Sequence, residues 1–156
     1  VAGVCEHGWQ RREIEMRCMD DTEVRVGLLR FAERHLAEDA NDGRLFFLVE
    51  IGAPGLHARL EGATNLVDGM GLPCFLGGLD FRGWEGEKHW RSADRDIEVV
   101  ARFSDRGRIG LEWTLRPWRQ SVTGEWTATV ITELEAGAEK DTLVADLHNF
   151  LAVEMG

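Results

Sequence analysis

Cysteine and proline are scarce in this chain and tyrosine is absent: 156 residues hold three of each of the first two. Cys5, Cys18 and Cys74 are odd in number and widely spaced. They neither build a disulfide framework nor supply a C-x-x-C half-site for zinc, and reduced, partly buried thiols are expected. Long apolar runs are missing too. The longest, Leu45-Phe46-Phe47-Leu48-Val49, falls far short of the roughly 18 to 20 residues of a membrane helix, which excludes a helical membrane span. Val1 to His7 carry no cationic leader ahead of a greasy segment. The N-terminus therefore does not read as a secretion signal, and the cytoplasm is the expected location.

Positive charge is the other shortage. Lys and Arg together number 18 against 28 Asp and Glu, a formal charge of −10. The cations are spread along the chain instead of forming a block, so a phosphate backbone would be repelled and nucleic acid is excluded as the expected partner. Only two of the cations, Lys88 and Lys140, are lysines, the usage of a GC-rich genome.

What the chain does have is period-two alternation, the signature of strands with one buried face. Ile14, Met16 and Cys18, then Val24, Val26 and Leu28, alternate with polar residues on either side of Asp20-Asp21 and predict a hairpin. Residues 31–37 fit the tail of a strand or a short helix equally well. Arg44 to Ile51 reads as a central strand. The turn Gly52-Ala53-Pro54-Gly55 returns the chain through Leu56, Ala58 and Leu60, with His57, Arg59 and Glu61 on the opposite side. Residues 62–71 read as a mixed, glycine-containing connection, and 72–79 as a helix of about two turns. Ile97 to Phe103, a turn at 104–107 and Ile109 to Leu115 predict a second clean hairpin, and Trp126 to Leu134 a third partner strand.

From Gly137 the period becomes helical, with Leu143, Leu147, Phe150 and Leu151 on one stripe and Glu139 and Asp141 in the first turn, where the helix dipole favours negative charge. The expected fold is α+β: a predominantly antiparallel β-sheet with a short central helix and a C-terminal amphipathic helix packed on one face. The alternative is a two-sheet β-sandwich with a terminal helix. A length of this order fits a single domain, residues 1–156. Residues 1–42 are set apart as an N-terminal extension or a mis-called start, since Val1 is what a GUG initiator gives when translated literally.

No assembled chemistry stands out. His7, His35, His57, His89 and His148 form no H-E-x-x-H, no i, i+4 pair and no Cys/His cluster, so no metal is expected. Ser92, Ser104 and Ser121 sit in no G-x-S-x-G elbow. The 18 glycines form neither a Walker loop nor a dinucleotide fingerprint, so no cofactor is expected either.

The segment with most character runs from Phe81 to Ser92. Trp84 and Trp90, with Trp118, can form an aromatic binding platform; the plain reading is that they close one end of the sheet. Glu85 and Glu87, i and i+2 on a strand, share a face and with His89 can be drawn as an acid/base group, although such pairs commonly lie in solvent. Trp84, Glu85, Glu87, His89 and Trp90 are therefore the candidate ligand- or partner-binding residues, and no catalytic residue is assigned.

The strings Gly71-Leu-Pro-Cys-Phe-Leu-Gly-Gly-Leu, Phe81-Arg-Gly-Trp-Glu-Gly, Trp90-Arg-Ser, Gly110-Leu-Glu-Trp-Thr-Leu-Arg and Leu134-Glu-Ala-Gly-Ala-Glu occur in this order. Together they resemble the bacterial, mostly actinobacterial, domain of unknown function family 6228 across about Leu45 to Ala152, less so in the N-terminal part. That resemblance implies a small protein with no assigned activity and gives no catalytic residue to carry over. The expected role is a non-enzymatic protein-interaction module, such as an immunity factor for a toxin or an accessory of a neighbouring gene product. The alternative is a small-ligand or carbohydrate-binding module that uses surface tryptophans.

Overall fold

The computed structural model describes residues 23–36, 44–66, 71–117 and 125–151. Eight strands and two helices follow in the order β1 (Val24–Val26), β2 (Leu29–Leu36), β3 (Arg44–Ala53), β4 (Leu56–Leu66), α1 (Gly71–Gly77), β5 (Glu87–Arg91), β6 (Ile97–Ser104), β7 (Arg108–Leu115), β8 (Ala128–Glu135) and α2 (Ala138–Leu151). The strands divide into two four-stranded sheets, β1-β2-β3-β4 and β5-β6-β7-β8, with every neighbouring pair antiparallel. The α+β composition, the short central helix and the closing helix are those expected, and the strands take the two-sheet arrangement of the alternative.

Each tight connection is dictated by its residues. β1 and β2 are joined by Gly27 and Leu28, and Gly27 holds φ +57°, the positive value that two-residue hairpins demand at their first position. Pro54-Gly55 joins β3 to β4 with φ +77° at the glycine. Asp105-Arg106-Gly107 joins β6 to β7, the three-residue loop in which the last position is left-handed (φ +70°).

The inward faces of the two sheets share one core. Phe31 of β2 meets Trp113 of β7 edge-on, with ring centroids 5.9 Å apart. Trp113 is fully buried, and its Nε1 donates to Thr132 Oγ1 at 3.0 Å, so its one polar atom is satisfied inside the core. Leu143, Leu147, Phe150 and Leu151 bury the stripe of α2, with Phe150 set between Phe31 and Phe47 of the first sheet. Lys140, also on α2, is buried and donates from Nζ to the carbonyl of Leu79 at 2.6 Å, tying α2 to the chain just past α1.

Several expectations need correction. Leu28 ends no strand; it lies exposed in the β1–β2 turn. Residues 29–36 are a strand, and the pattern blurs there because β2 carries a bulge. Glu33 and Arg34 together oppose Phe47, Glu33 takes φ +52°, and the alternation slips by one residue. The slip leaves His35 stacked on outward-facing Phe46 and turns Arg34 to the end of α2. β4 runs on to Leu66 through a second bulge, where Glu61 and Gly62 oppose Leu48, so part of the segment read as a connection is strand. Cys74, expected partly buried, is an exposed thiol on α1. The arm predicted at residues 13–18 and Trp118 lie outside the described residues.

Candidate functional site

Of the five candidate residues, Trp90 and the pair Glu87 and His89 fall on opposite sides of the second sheet, while Trp84 and Glu85 lie in the loop ahead of it. β5 is an edge strand, and Trp90 faces inward beside Val99, its Nε1 2.8 Å from where a Cβ on Gly71 would stand. Trp84 is half-buried against the Phe103 ring at 5.5 Å, with Lys88 Nζ 5.3 Å above its indole. Gly83 makes that seat possible: it holds φ +102°, and a Cβ there would lie 2.6 Å from the Phe103 ring. The Trp84 Nε1 is buried without a hydrogen-bond partner among the described residues.

Glu87 and His89 face the other way, into solvent. Glu85 does not share their face. Gly86 holds φ +77° and the strand starts only at Glu87, so the i, i+2 geometry expected of the two glutamates is not realised; Glu85 stands exposed in the preceding loop.

The register of the second sheet brings Glu87 and His89 together with residues far away in the chain. His89 pairs with Val100, Val100 with Glu112 and Glu112 with Ile131, a continuous row across all four strands. On one side runs the row Glu87, Arg102, Gly110, Glu133, and on the other the row Arg91, Glu98, Thr114, Thr129. None of these twelve residues is buried, and Ile131 is 60% exposed.

Ion pairs stitch the rows together. Arg102 bridges Glu87 and Glu112; Arg91 and Arg116 hold Glu98 at 3.8 and 2.7 Å; Arg108 reaches Glu133 at 3.5 Å. Thr114 and Thr129 share a hydrogen bond of 3.0 Å. A depression of about 390 Å³ lies at the β5–β6 side of the face, lined by residues that include His89, Arg91, Glu98 and Val100. At its margin the β5–β6 connection is braced from inside. Ser92 Oγ donates to Asp96 Oδ1 at 2.5 Å and accepts from the Ile97 amide at 3.1 Å. Burial pushes the Asp96 carboxyl above its usual range, against the opposing pull of the Ser92 hydrogen bond.

The outer face of the first sheet differs. Ala32 and Leu48 pair on that side and are both buried, and around them Glu50 is a hub that takes Arg30 at 3.3 Å and His57 at 3.2 Å. Burial raises the Glu50 carboxyl, but the hydrogen bonds from His57 and Arg30 outweigh it and leave the pKa lowered.

A second concavity, of about 360 Å³, opens where β1, β8 and the first half of α2 meet. Val26, Leu134 and Leu143 form its apolar floor and Glu133, Glu139 and Asp146 its rim. Glu133 thus belongs both to this cleft and to the open face. The sequence carried a partial signal for the face: the three-residue loop at 105–107 sets β6 against β7 and so places Val100 opposite Glu112. The cleft carried none, because its walls come from elements about a hundred residues apart.

Among the described residues no group of three His, Cys, Asp or Glu is arranged to hold a metal, and no helix is long and apolar enough to cross a membrane. Fold and site together define a class: a helix-closed, two-layer antiparallel β domain in which the described residues leave one sheet face open. The chain belongs to the family of unknown function DUF6228, whose profile matches residues 17–154 and so begins well ahead of Leu45. Neither a curated protein nor a solved structure matches it.

Proposed function

We propose that this is a non-enzymatic protein-interaction domain of the bacterial cytoplasm that uses the outer face of its second sheet. The carrying observation is the four-strand row His89, Val100, Glu112 and Ile131, none of it buried and flanked by paired charges. A face with two apolar side chains between arginines and glutamates in near balance suits the mixed chemistry of a protein surface, whereas a polyanion needs one sign of charge. Four strands at about 4.8 Å spacing and three rows at about 6.8 Å span roughly 400 Å², about half of the roughly 800 Å² that one partner contributes to a standard interface. The half-buried seats of Trp84 and Trp90 favour this reading over a tryptophan platform for a small ligand, since one indole is engaged by Phe103 and the other lies against Gly71.

The test compares the wild-type chain with Ile131→Arg and Val100→Lys, each of which sets a cation beside Glu112. Affinity purification from the native host should recover a stoichiometric partner with the wild type and lose it with both variants, at unchanged melting temperature. Retention by both variants, or no partner for the wild type even at low salt, would overturn the proposal.

A further inference from the structure

The geometry points to a specific occupant for the cleft between β1, β8 and α2: an arginine side chain from a basic segment of a partner protein. This rests on the reading of the chain as a protein-binding domain and names the chemistry of what it binds. The floor of Val26, Leu134 and Leu143 suits a stem of methylene groups, and the carboxylates of Glu133, Glu139 and Asp146 stand at the rim for a charged head. The guanidinium fork can address two carboxylates at once, which a lysine ammonium does less well.

The local charges favour a cationic head from outside. The cation already at the cleft, Arg25, has its charge matched by Glu23 at 2.7 Å and is largely exposed. Arg108 answers Glu133 at 3.5 Å. Glu139 has no ion-pair partner among the described residues, one of its oxygens accepting from the Glu135 amide at 2.8 Å, and Asp146 has neither a hydrogen-bond nor an ion-pair partner among them. A formal charge of −10 repels a second copy of this chain and steers basic partners inward. Glu133 makes the cleft continuous with the open face, so a partner lying on that face passes over the β8 edge directly above it.

The probe is a capped heptapeptide, Gly-Ser-Ala-Arg-Ala-Ser-Gly, with a counterpart in which neutral citrulline replaces the arginine. Each is titrated into the full chain and followed by amide NMR shifts. Arginine-dependent shifts should centre on Val26, Gly27, Thr142 and Leu143 and weaken between about 20 and about 300 mM salt. Citrulline should bind about tenfold more weakly or not at all, and the double variant Glu139→Gln/Asp146→Asn should lose about tenfold in affinity at an unchanged melting temperature, while Glu125→Gln, an exposed carboxylate ahead of β8, changes nothing.

Equal affinity for the two peptides, shifts centred elsewhere, no shift at millimolar peptide, or concentration-dependent pairing of the chain through this cleft would each overturn the inference. If the native partner is still captured through Ile131 and Val100 while the peptide fails, the inference alone falls. If the peptide binds where no native partner is found, the proposed function is what fails.

Discussion

At Gly27 a single missing methyl group couples the two sheets. Its φ of +57° belongs to a turn in the first sheet, and a Cβ there would stand 2.8 Å from Thr132 Cγ2 in the second. Gly55 offers an internal control, since it holds φ +77° with nothing within 4 Å of the same position. Gly55→Ala should therefore show only the backbone strain of an L-residue in the left-handed region, about 1 kcal/mol. Gly27→Ala adds the clash and should lose about 2–4 kcal/mol. Chemical denaturation of the two variants side by side checks this, and equal losses would mean that the β1–β2 turn does not press on β8. Thr132 has a second reason to stay in place, because its hydroxyl accepts from the buried indole of Trp113.

Among the elements, β2 and α2 depend on each other through Arg34. The last four carbonyls of a helix have no partners within it and lie at the negative end of its dipole. Arg34 Nη1 takes two of them, the carbonyls of Asn149 and Phe150, at 2.8 and 2.7 Å, and its guanidinium lies 5.6 Å from the Phe150 ring centroid. The bulge at Glu33 is what delivers it there. Arg34→Met keeps most of the stem and removes the cap, so it should cost about 1–3 kcal/mol and raise amide exchange in the last turn of α2. Unchanged exchange there would show that Phe150 alone holds the helix end.

The same bulges explain what could be read from the sequence. β6, β7 and β8 obey strict alternation because each has one face in the core and one in water, and Ile97, Val99, Trp113 and Leu134 announce that core face directly. α2 shows its stripe for the same reason. β2 and the far half of β4 each contain an extra residue that breaks the period, which hid one strand and shortened the other. Of the candidate site, Glu87 and His89 were visible as neighbours on one strand. Val100, Glu112 and Ile131 join them only through pairing registers, and alternation alone says which way a side chain points, never which side chain stands opposite it.

Across the whole molecule, ionisation should tilt stability in two directions. Glu23 and Glu50 have lowered pKa values. Their contribution is in place above the unfolded glutamate value of about 4.3 and is lost as pH falls through the lowered folded values. Asp96 has the opposite sign. Its folded pKa is raised by burial, so its contribution is complete below the unfolded aspartate value of about 3.9 and is lost as pH rises through the raised folded value. Asp96→Asn removes that dependence. The melting temperature of the variant minus that of the wild type should become more positive between about pH 4 and about pH 7. A difference that is flat or shrinks over that interval would show that burial of Asp96 is not felt as a charge penalty.

Having just two lysines gives the molecule an unusual chemical simplicity. One amine, at Lys140, is sealed inside and hydrogen-bonded to Leu79, and the other, at Lys88, stands exposed on the edge strand over the Trp84 indole. Besides the chain terminus, an acylating reagent therefore meets one side-chain amine while the protein is folded and two once it unfolds. Limited acetylation followed by peptide mapping should modify Lys88 quickly and Lys140 only on the timescale of global opening. Comparable rates at both positions would mean that the contact between α2 and the end of α1 opens on its own. A dye or biotin placed at Lys88 would sit beside Trp84, on the side of the sheet opposite the His89 row, and would report on the seating of that indole.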